Sequence, residues 1–232
     1  MEYHELTITG CLLQDVYFTE ANALIAQTIN KSLYMDNELA EKHAKNEYKN
    51  YCFNSLYPLE NDKTYKRGRI YIFRIRSLEE SFAVKLKFLL PKVQSDFIKL
   101  IAIEQKTIKK KHIVELYTVT PALVTVDNKH WLPQDDFILL QERFQMNLEK
   151  KYKTYFGEAL IIKQSFIQHI EILNHKPMSF SYKNTKLLGN KFRIIPNDDV
   201  ISQNLAFIAE ATGIGEKSSS AGLGYCNAQY LK

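Results

Sequence analysis

Gly213-Ile214-Gly215-Glu216-Lys217-Ser218-Ser219-Ser220-Ala221-Gly222-Leu223-Gly224 holds four of the eight glycines in this chain of 232 residues, with a lysine and three serines between the two glycine pairs. Glycine lets backbone N–H groups approach an anion with no Cβ in the way, and a lysine with neighbouring hydroxyls adds charge and donors at the same point. Gly213, Gly215, Lys217, Ser218, Ser219, Ser220, Gly222 and Gly224 are therefore the candidate phosphate contacts. The stretch is not a Walker loop, which needs glycine directly before its lysine, because Glu216 separates Gly215 from Lys217. Nor is it a dinucleotide fingerprint, which calls for glycine where Ser218 stands. Both motifs follow a strand and open a helix. Here Asp198 and Asp199 suit an N-cap, Ile201, Leu205, Ile208 and Ala209 recur at helical spacing, and Gly213 suits a C-cap. The order is helix, glycine loop, strand. A glycine-rich C-capping turn is the plain structural reading, and a phosphate cradle is the functional one.

Upstream of this loop the hydrophobic period switches repeatedly between two and 3.6. A strand is expected over residues 3 to 13, then a helix from Thr19 with Ala21, Leu24, Ile25, Ile29 and Leu33 on one face. Strands follow over Tyr51 to Leu56 and Arg69 to Arg76. Ser77 and Glu80 form a capping-box pair for a helix carrying Leu78, Phe82, Leu86 and Leu89, and a strand runs from Phe97 to Ile103. The second half repeats the order. A strand over Ile113 to Val119 precedes a helix from Pro133 with Phe137, Leu140, Phe144 and Leu148, then strands over Leu160 to Leu173 and a hairpin over Met178 to Ile195. The Asp199 helix, the glycine loop and a strand from Tyr225 to Leu231 close it. The fold expected is α+β, two tandem ferredoxin-like βαββαβ domains over residues 1–108 and 109–232, joined in the basic stretch Lys106 to His112.

This organisation resembles the RAMP superfamily, specifically its CRISPR-associated endoribonucleases that process precursor CRISPR RNA. The resemblance covers the whole chain. Gly213-Ile214-Gly215 and Gly222-Leu223-Gly224 match the two glycine-hydrophobic-glycine triplets of the family loop, and Lys217 matches the basic residue between them. The insert Glu216 to Ala221 is one residue longer than the usual form, which a surface loop tolerates. The resemblance implies a histidine after the first helix, assisted by a tyrosine and a lysine. In Tyr34-Met35-Asp36-Asn37-Glu38-Leu39-Ala40-Glu41-Lys42-His43-Ala44-Lys45-Asn46-Glu47-Tyr48-Lys49, His43 stands at that place. Lys49 follows six residues later and Tyr34 precedes it, with Lys45 and Tyr48 as substitutes.

The chemistry asks for the same residue types. Cutting RNA without a metal needs a base for the 2′-hydroxyl proton, an acid for the leaving 5′-oxygen and positive charge at the phosphorane. Histidine, with an ordinary pKa near 6.5, serves the proton transfers. Lysine supplies the charge, and tyrosine donates or orients. The bland alternative for His43 is a solvated helix histidine among Glu41, Lys42, Lys45 and Glu47. His4, His112, His130, His169 and His175 form no metal-ligand spacing. Asp135-Asp136 and Asp198-Asp199 stand at helix starts, where carboxylates complement the dipole. No metal site and no cofactor are therefore expected.

Net charge is +5 and the isoelectric point is near 8.9, a mild basicity that fits an acidic partner without requiring one. Candidate RNA-track clusters are Lys63, Lys66, Arg67 and Arg69; Arg74 and Arg76 on one strand face; Lys106, Lys109, Lys110 and Lys111; and Lys150, Lys151 and Lys153 at a helix end. Each is also an ordinary solvated face. Three scattered cysteines and the lack of a signal pattern or a long apolar run point to a cytoplasmic setting without a membrane. The expected activity is a metal-independent endoribonuclease acting on CRISPR repeat RNA. A CRISPR effector complex and a second copy of the chain complete the partner set. A binding module of the same fold that holds RNA without cutting it, and a nucleotide-binding ferredoxin-like regulator, are the alternatives.

Overall fold

The computed structural model describes residues 1–45, 47–160, 164–182 and 185–231. The first half comprises β1 (Glu2–Leu12), β2 (Val16–Tyr17), α1 (Phe18–Leu33), α2 (Asn37–Ala44), β3 (Tyr51–Phe53), β4 (Thr64–Tyr65), β5 (Ile70–Ser77), α3 (Glu80–Leu89) and β6 (Ile98–Lys109). The second comprises β7 (Ile113–Thr118), β8 (Thr125–Val126), β9 (Lys129–His130), α4 (Phe137–Phe156), β10 (Ile167–Ile172), β11 (Met178–Tyr182), β12 (Thr185–Gly189), β13 (Phe192–Pro196), α5 (Val200–Thr212), α6 (Ser218–Ala221) and β14 (Cys226–Tyr230).

One antiparallel sheet runs β3-β5-β1-β6 and the other β10-β13-β7-β14. Counting the four strands of each sheet in chain order gives second, third, first, fourth in both cases. Helices α1 and α3 connect the strands of the first sheet, and α4 and α5 those of the second. These are two ferredoxin-like βαββαβ units, in agreement with the switching periods of the sequence. The alternation along β1 buries Leu6, Ile8 and Leu12 against Ala21, Ile25, Ile29 and Leu33 of α1 in one core. Each such aliphatic side chain contributes roughly 1.5–3 kcal/mol on burial. The second core gathers Phe144 and Leu148 of α4, Phe192 of β13 and Leu205 and Ile208 of α5. A smaller cluster, Leu123, Phe180, Leu187 and Leu223, lies under the β11–β12 hairpin, whose Phe180 meets Phe18 of α1 edge-on at 6.5 Å.

Several local expectations are corrected. Ser77 is the last residue of β5 and its hydroxyl accepts from the N–H of Glu79, so the turn into α3 replaces the capping box. Helix α4 starts at Phe137 rather than Pro133, because Asp136 is its N-cap, accepting from Ile138 N–H at 2.7 Å. It continues to Phe156, so Lys153 lies in its last turn, as expected, and Lys150 and Lys151 just before that turn. The hairpin expected over Met178 to Ile195 is three strands: β11 and β12 pair with each other, and β13 joins the main sheet. The expected strand from Leu160 begins at Ile167, and its residues 161–163 lie outside the described ones. Among the described residues no helix is long and apolar enough to cross a membrane.

The two halves meet on Arg76, which sequence alternation assigned to a solvated strand face shared with Arg74. Its side chain is 6% exposed, and its guanidinium pairs with Glu5 at 2.8 Å. It also donates to the carbonyls of Glu210 and Cys226 and to Asn227 Oδ1. The Tyr225 and Tyr3 rings flank it at 4.3 and 5.3 Å. Alternation describes one sheet and cannot register that β14 and α5 cover its outer face. Arg74 stays half-buried beside the same Glu5 carboxylate.

Candidate functional site

The glycine stretch is folded by close backbone approach. At Gly224, φ is +67° and an added Cβ would lie 1.8 Å from the carbonyl oxygen of Ile214. At Gly215, φ is +77° and a Cβ would lie 2.5 Å from the Leu123 carbonyl oxygen. The backbone bonds fit that packing: Ile214 N–H donates to Gly224, Gly224 N–H to Pro121 and Glu216 N–H to Leu123. Three side chains from distant elements clamp the stretch. Asn22 of α1 donates to the carbonyls of Ala221 and Gly222. The Glu216 carboxylate accepts from the N–H and hydroxyl of Thr125. Lys151 of α4, 4% exposed, donates to the carbonyls of Thr212 and Gly213 at 3.2 and 2.7 Å, capping the end of α5. Burial pushes its ammonium down to about 8.

The segment after α1 is organised by its own carboxylates. Asp36 caps α2 by accepting from Leu39 N–H, and Lys85 of α3 bonds Asp36 and Glu38. His43 thereby occupies the last turn of α2 and meets the Tyr34 ring edge-on at 5.6 Å. The sequence separation of these two rings is bridged by the tight turn between α1 and α2. His43 Nδ1 is buried and has no hydrogen-bond partner among the described residues. Burial, then the charge of Lys49, holds the imidazole below its ordinary pKa. Lys49 is itself lowered by burial, and its ammonium donates to the carbonyls of Lys42 and Lys45 at the end of α2.

Both assemblies open on one cleft of about 990 Å³. Tyr34, His43 and Lys49 line it from the first half, and Gly215, Lys217, Ser218, Ser219 and Ser220 from the second. Residues separated by some 170 positions in the sequence are thus brought together. Gly213, Gly222 and Gly224 are buried behind the wall and do not line it; their place is packing. The substitutes Lys45 and Tyr48 also line the cleft.

Sequence reading named Lys150 and Lys151 but missed the other side chains that α1 and α4 bring to the cleft. Arg143, Asn147 and Lys150 project from one face of α4, and Gln27, Asn30 and Lys31 from one face of α1. The signal was polar residues at i, i+3, i+4 and i+7 spacing on helices whose opposite faces are apolar. Seven basic side chains line the cleft: Lys31, Lys45, Lys49, Arg143, Lys150, Lys151 and Lys217. The carboxylates there are Glu47 and Glu216, the latter bound to Thr125. Among the described residues none of the seven makes an ion pair, whereas Lys42, Lys66, Arg69, Arg76, Lys85 and Arg193 elsewhere all do. Arg143 Nε, Asn147 Oδ1 and Ser218 Oγ are buried on the same walls and have no partner among the described residues. A concave surface whose cations have no carboxylate partner among the described residues suits a polyanion, although Lys49 and Lys151 already bond backbone carbonyls.

No protein-family model and no curated protein matches this sequence. Solved structures do share its fold. The chain is similar to a Cas6-related protein from Pyrococcus furiosus, with a TM-score of 0.74 and 18% identity over 99% of this chain and 100% of that one. It is similar to a RAMP protein that binds different RNA substrates, with a TM-score of 0.73 and 17% identity over 97% and 99%. It also matches a Thermus thermophilus Cas6 in a product complex, with a TM-score of 0.64 and 13% identity over 98% and 99%.

Proposed function

We propose that this protein is a CRISPR-associated, metal-independent endoribonuclease that cuts precursor CRISPR RNA within its repeat. The observation that carries the reading is the single cleft in which Tyr34, His43 and Lys49 face Lys217, Ser219 and Ser220 between walls of unpaired cations. The likeness in fold to Cas6 proteins, one of them in a product complex and another a Cas6-related protein, supports it. His43 takes the proton of a ribose 2′-hydroxyl. The O2′–P bond forms as the P–O5′ bond breaks, and the leaving oxygen takes a proton from solvent, which leaves a 2′,3′-cyclic phosphate and a 5′-hydroxyl. Lys49 places positive charge beside the phosphorane, Tyr34 holds the imidazole by its edge, and the loop face of Lys217 to Ser220 grips the neighbouring backbone.

One observation favours the binding-only reading: the Lys49 ammonium already caps two carbonyls of α2, which occupies the cation assigned to the phosphorane. Acidity separates the two. The depressed His43 keeps the ring neutral in the free protein, as a general base requires, so the acid limb of kcat/KM is expected to have its midpoint below 6.5. Lys49→Met removes a neighbouring positive charge and is expected to move that midpoint upward. A midpoint at or above 6.5, or one indifferent to Lys49, contradicts the assignment. The same depression gives a stability contribution that is complete above 6.5 and is lost as pH falls through the folded-state value.

A further inference from the structure

The two halves bring chemically different helix faces to the cleft. Ala23, Gln27 and Asn30 of α1, with Tyr34 at its C-cap, line it at i, i+4, i+7 and i+11, so they form one stripe about 16 Å long. Gln27 is exposed and Asn30 half-buried, and among the described residues neither carboxamide has a hydrogen-bond partner. Lys31 is the cation beside this stripe, and its ammonium donates to the Gln94 carbonyl. The other half answers with charge. On α4, Asn147 and Lys151 are buried, which leaves Arg143 and Lys150 as the accessible polar side chains of its cleft face. The loop adds Lys217, Ser219 and Ser220. A phosphate needs positive charge and gives no sequence information, whereas a base edge needs donors and acceptors set in direction. A carboxamide has an acceptor and two donors in one plane, and pairs with two neighbouring atoms of a base edge.

We propose that Asn30 and Gln27 determine sequence specificity: each pairs with the edge of an unstacked base, while the phosphates of the same strand follow Arg143, Lys150 and Lys217. The inference rests on the reading of the cleft as an RNA site and names what that site selects. Distance along α1 sets the order. Asn30 lies one turn and Gln27 two turns from Tyr34, about 6 and 10 Å along the axis, and the Tyr34 ring is 5.6 Å from that of His43. Asn30 therefore reads the nucleotide nearer the cut, and Gln27 the next one on the same side. Single-stranded RNA permits this, because its bases can be splayed out and hydrogen-bonded on their edges. The cations of α4 and the loop fix the register in which the two bases arrive.

The test uses the full chain and synthetic repeat RNAs that carry each single-base change through the repeat. Affinity and single-turnover cleavage are measured for the wild type, Asn30→Ala, Gln27→Ala and Lys150→Ala. The wild type is expected to discriminate between bases on the order of tenfold at two adjoining positions. Asn30→Ala is expected to lose that discrimination at the position nearer the cut and to keep it at the other, and Gln27→Ala the reverse. Lys150→Ala is expected to keep both, to weaken all sequences alike and to flatten the salt dependence by about 0.7 unit of log–log slope. Discrimination that survives both amide changes, or a wild type that binds and cuts with no base preference, overturns the proposal and leaves the cleft reading intact. So does a Lys150→Ala that loses discrimination as the amide variants do. A wild type that binds no RNA overturns both. If Asn30→Ala does not fold, Gln27→Ala decides by the same readout, since alanine at an exposed helix position keeps the helix.

Discussion

Replacing His43 by alanine is expected to slow cleavage of repeat RNA by about 10²- to 10⁴-fold, the scale of a single acid–base group, while RNA affinity stays within a few fold. The separation follows from the layout. His43 sits at one end of the cleft beside Tyr34 and Lys49, and among the described residues its ring makes no hydrogen bond that holds another element in place. On the proposed reading the RNA is held by the cations of α1, α4 and the loop face, none of which the substitution removes. Lys217→Ala is the complementary change. It is expected to weaken binding and to flatten the salt dependence by about 0.7 unit of log–log slope for one lost single-strand phosphate contact. Single-turnover cleavage and equilibrium binding on the same RNA check both. Loss of binding in His43→Ala, or cleavage that survives it, removes His43 from the chemistry.

Gly224→Ala is expected to destabilise the fold by about 2–5 kcal/mol. Left-handed backbone costs an L-residue roughly 1–2 kcal/mol, and forcing extra volume against a fixed backbone about 1–3 more. The obstacle is the carbonyl of Ile214, 1.8 Å from the new Cβ, on a residue whose own N–H donates to the Gly224 carbonyl. Neither partner can swing aside as a flexible side chain would. For a chain of this length the loss corresponds to a melting temperature lower by roughly 5–20 °C. Gly68→Ala is the control, because Gly68 has φ +78° with nothing within 4 Å of the added Cβ. It carries the backbone penalty alone and is expected to lower the melting temperature by the smaller amount, roughly 2–8 °C. Equal shifts for the two variants contradict the assignment of the second glycine triplet to close packing.

The βαββαβ order of elements in both halves was legible in the sequence because each element is decided locally, by the period of its apolar residues. The glycine stretch was legible as a loop but misread in part: glycine marks close approach without saying what approaches. Here Gly213, Gly222 and Gly224 meet protein, and Lys217, Ser219 and Ser220 face the cleft. His43 could be placed by its position after the first helix. Its contact with Tyr34 could not, since it depends on the turn capped by Asp36 and tied down by Lys85. Arg76 and Lys151 were the least legible. Each looks like a solvated cation until a distant segment folds over it, α5 and β14 for Arg76 and the end of α5 for Lys151, and such burial leaves no periodic trace. Arg143 and Asn147 sit at ordinary polar positions of an amphipathic helix, and only the opposing wall turns that face into a site.

The most direct measurement is cleavage of end-labelled repeat RNA in EDTA, beside a series in which a single 2′-deoxy substitution moves through the repeat. The account predicts one cut that persists in EDTA, is abolished by the deoxy residue immediately upstream of it and by no other, and leaves a 2′,3′-cyclic phosphate. Cleavage that needs a metal ion, or that is indifferent to the upstream 2′-hydroxyl, contradicts it.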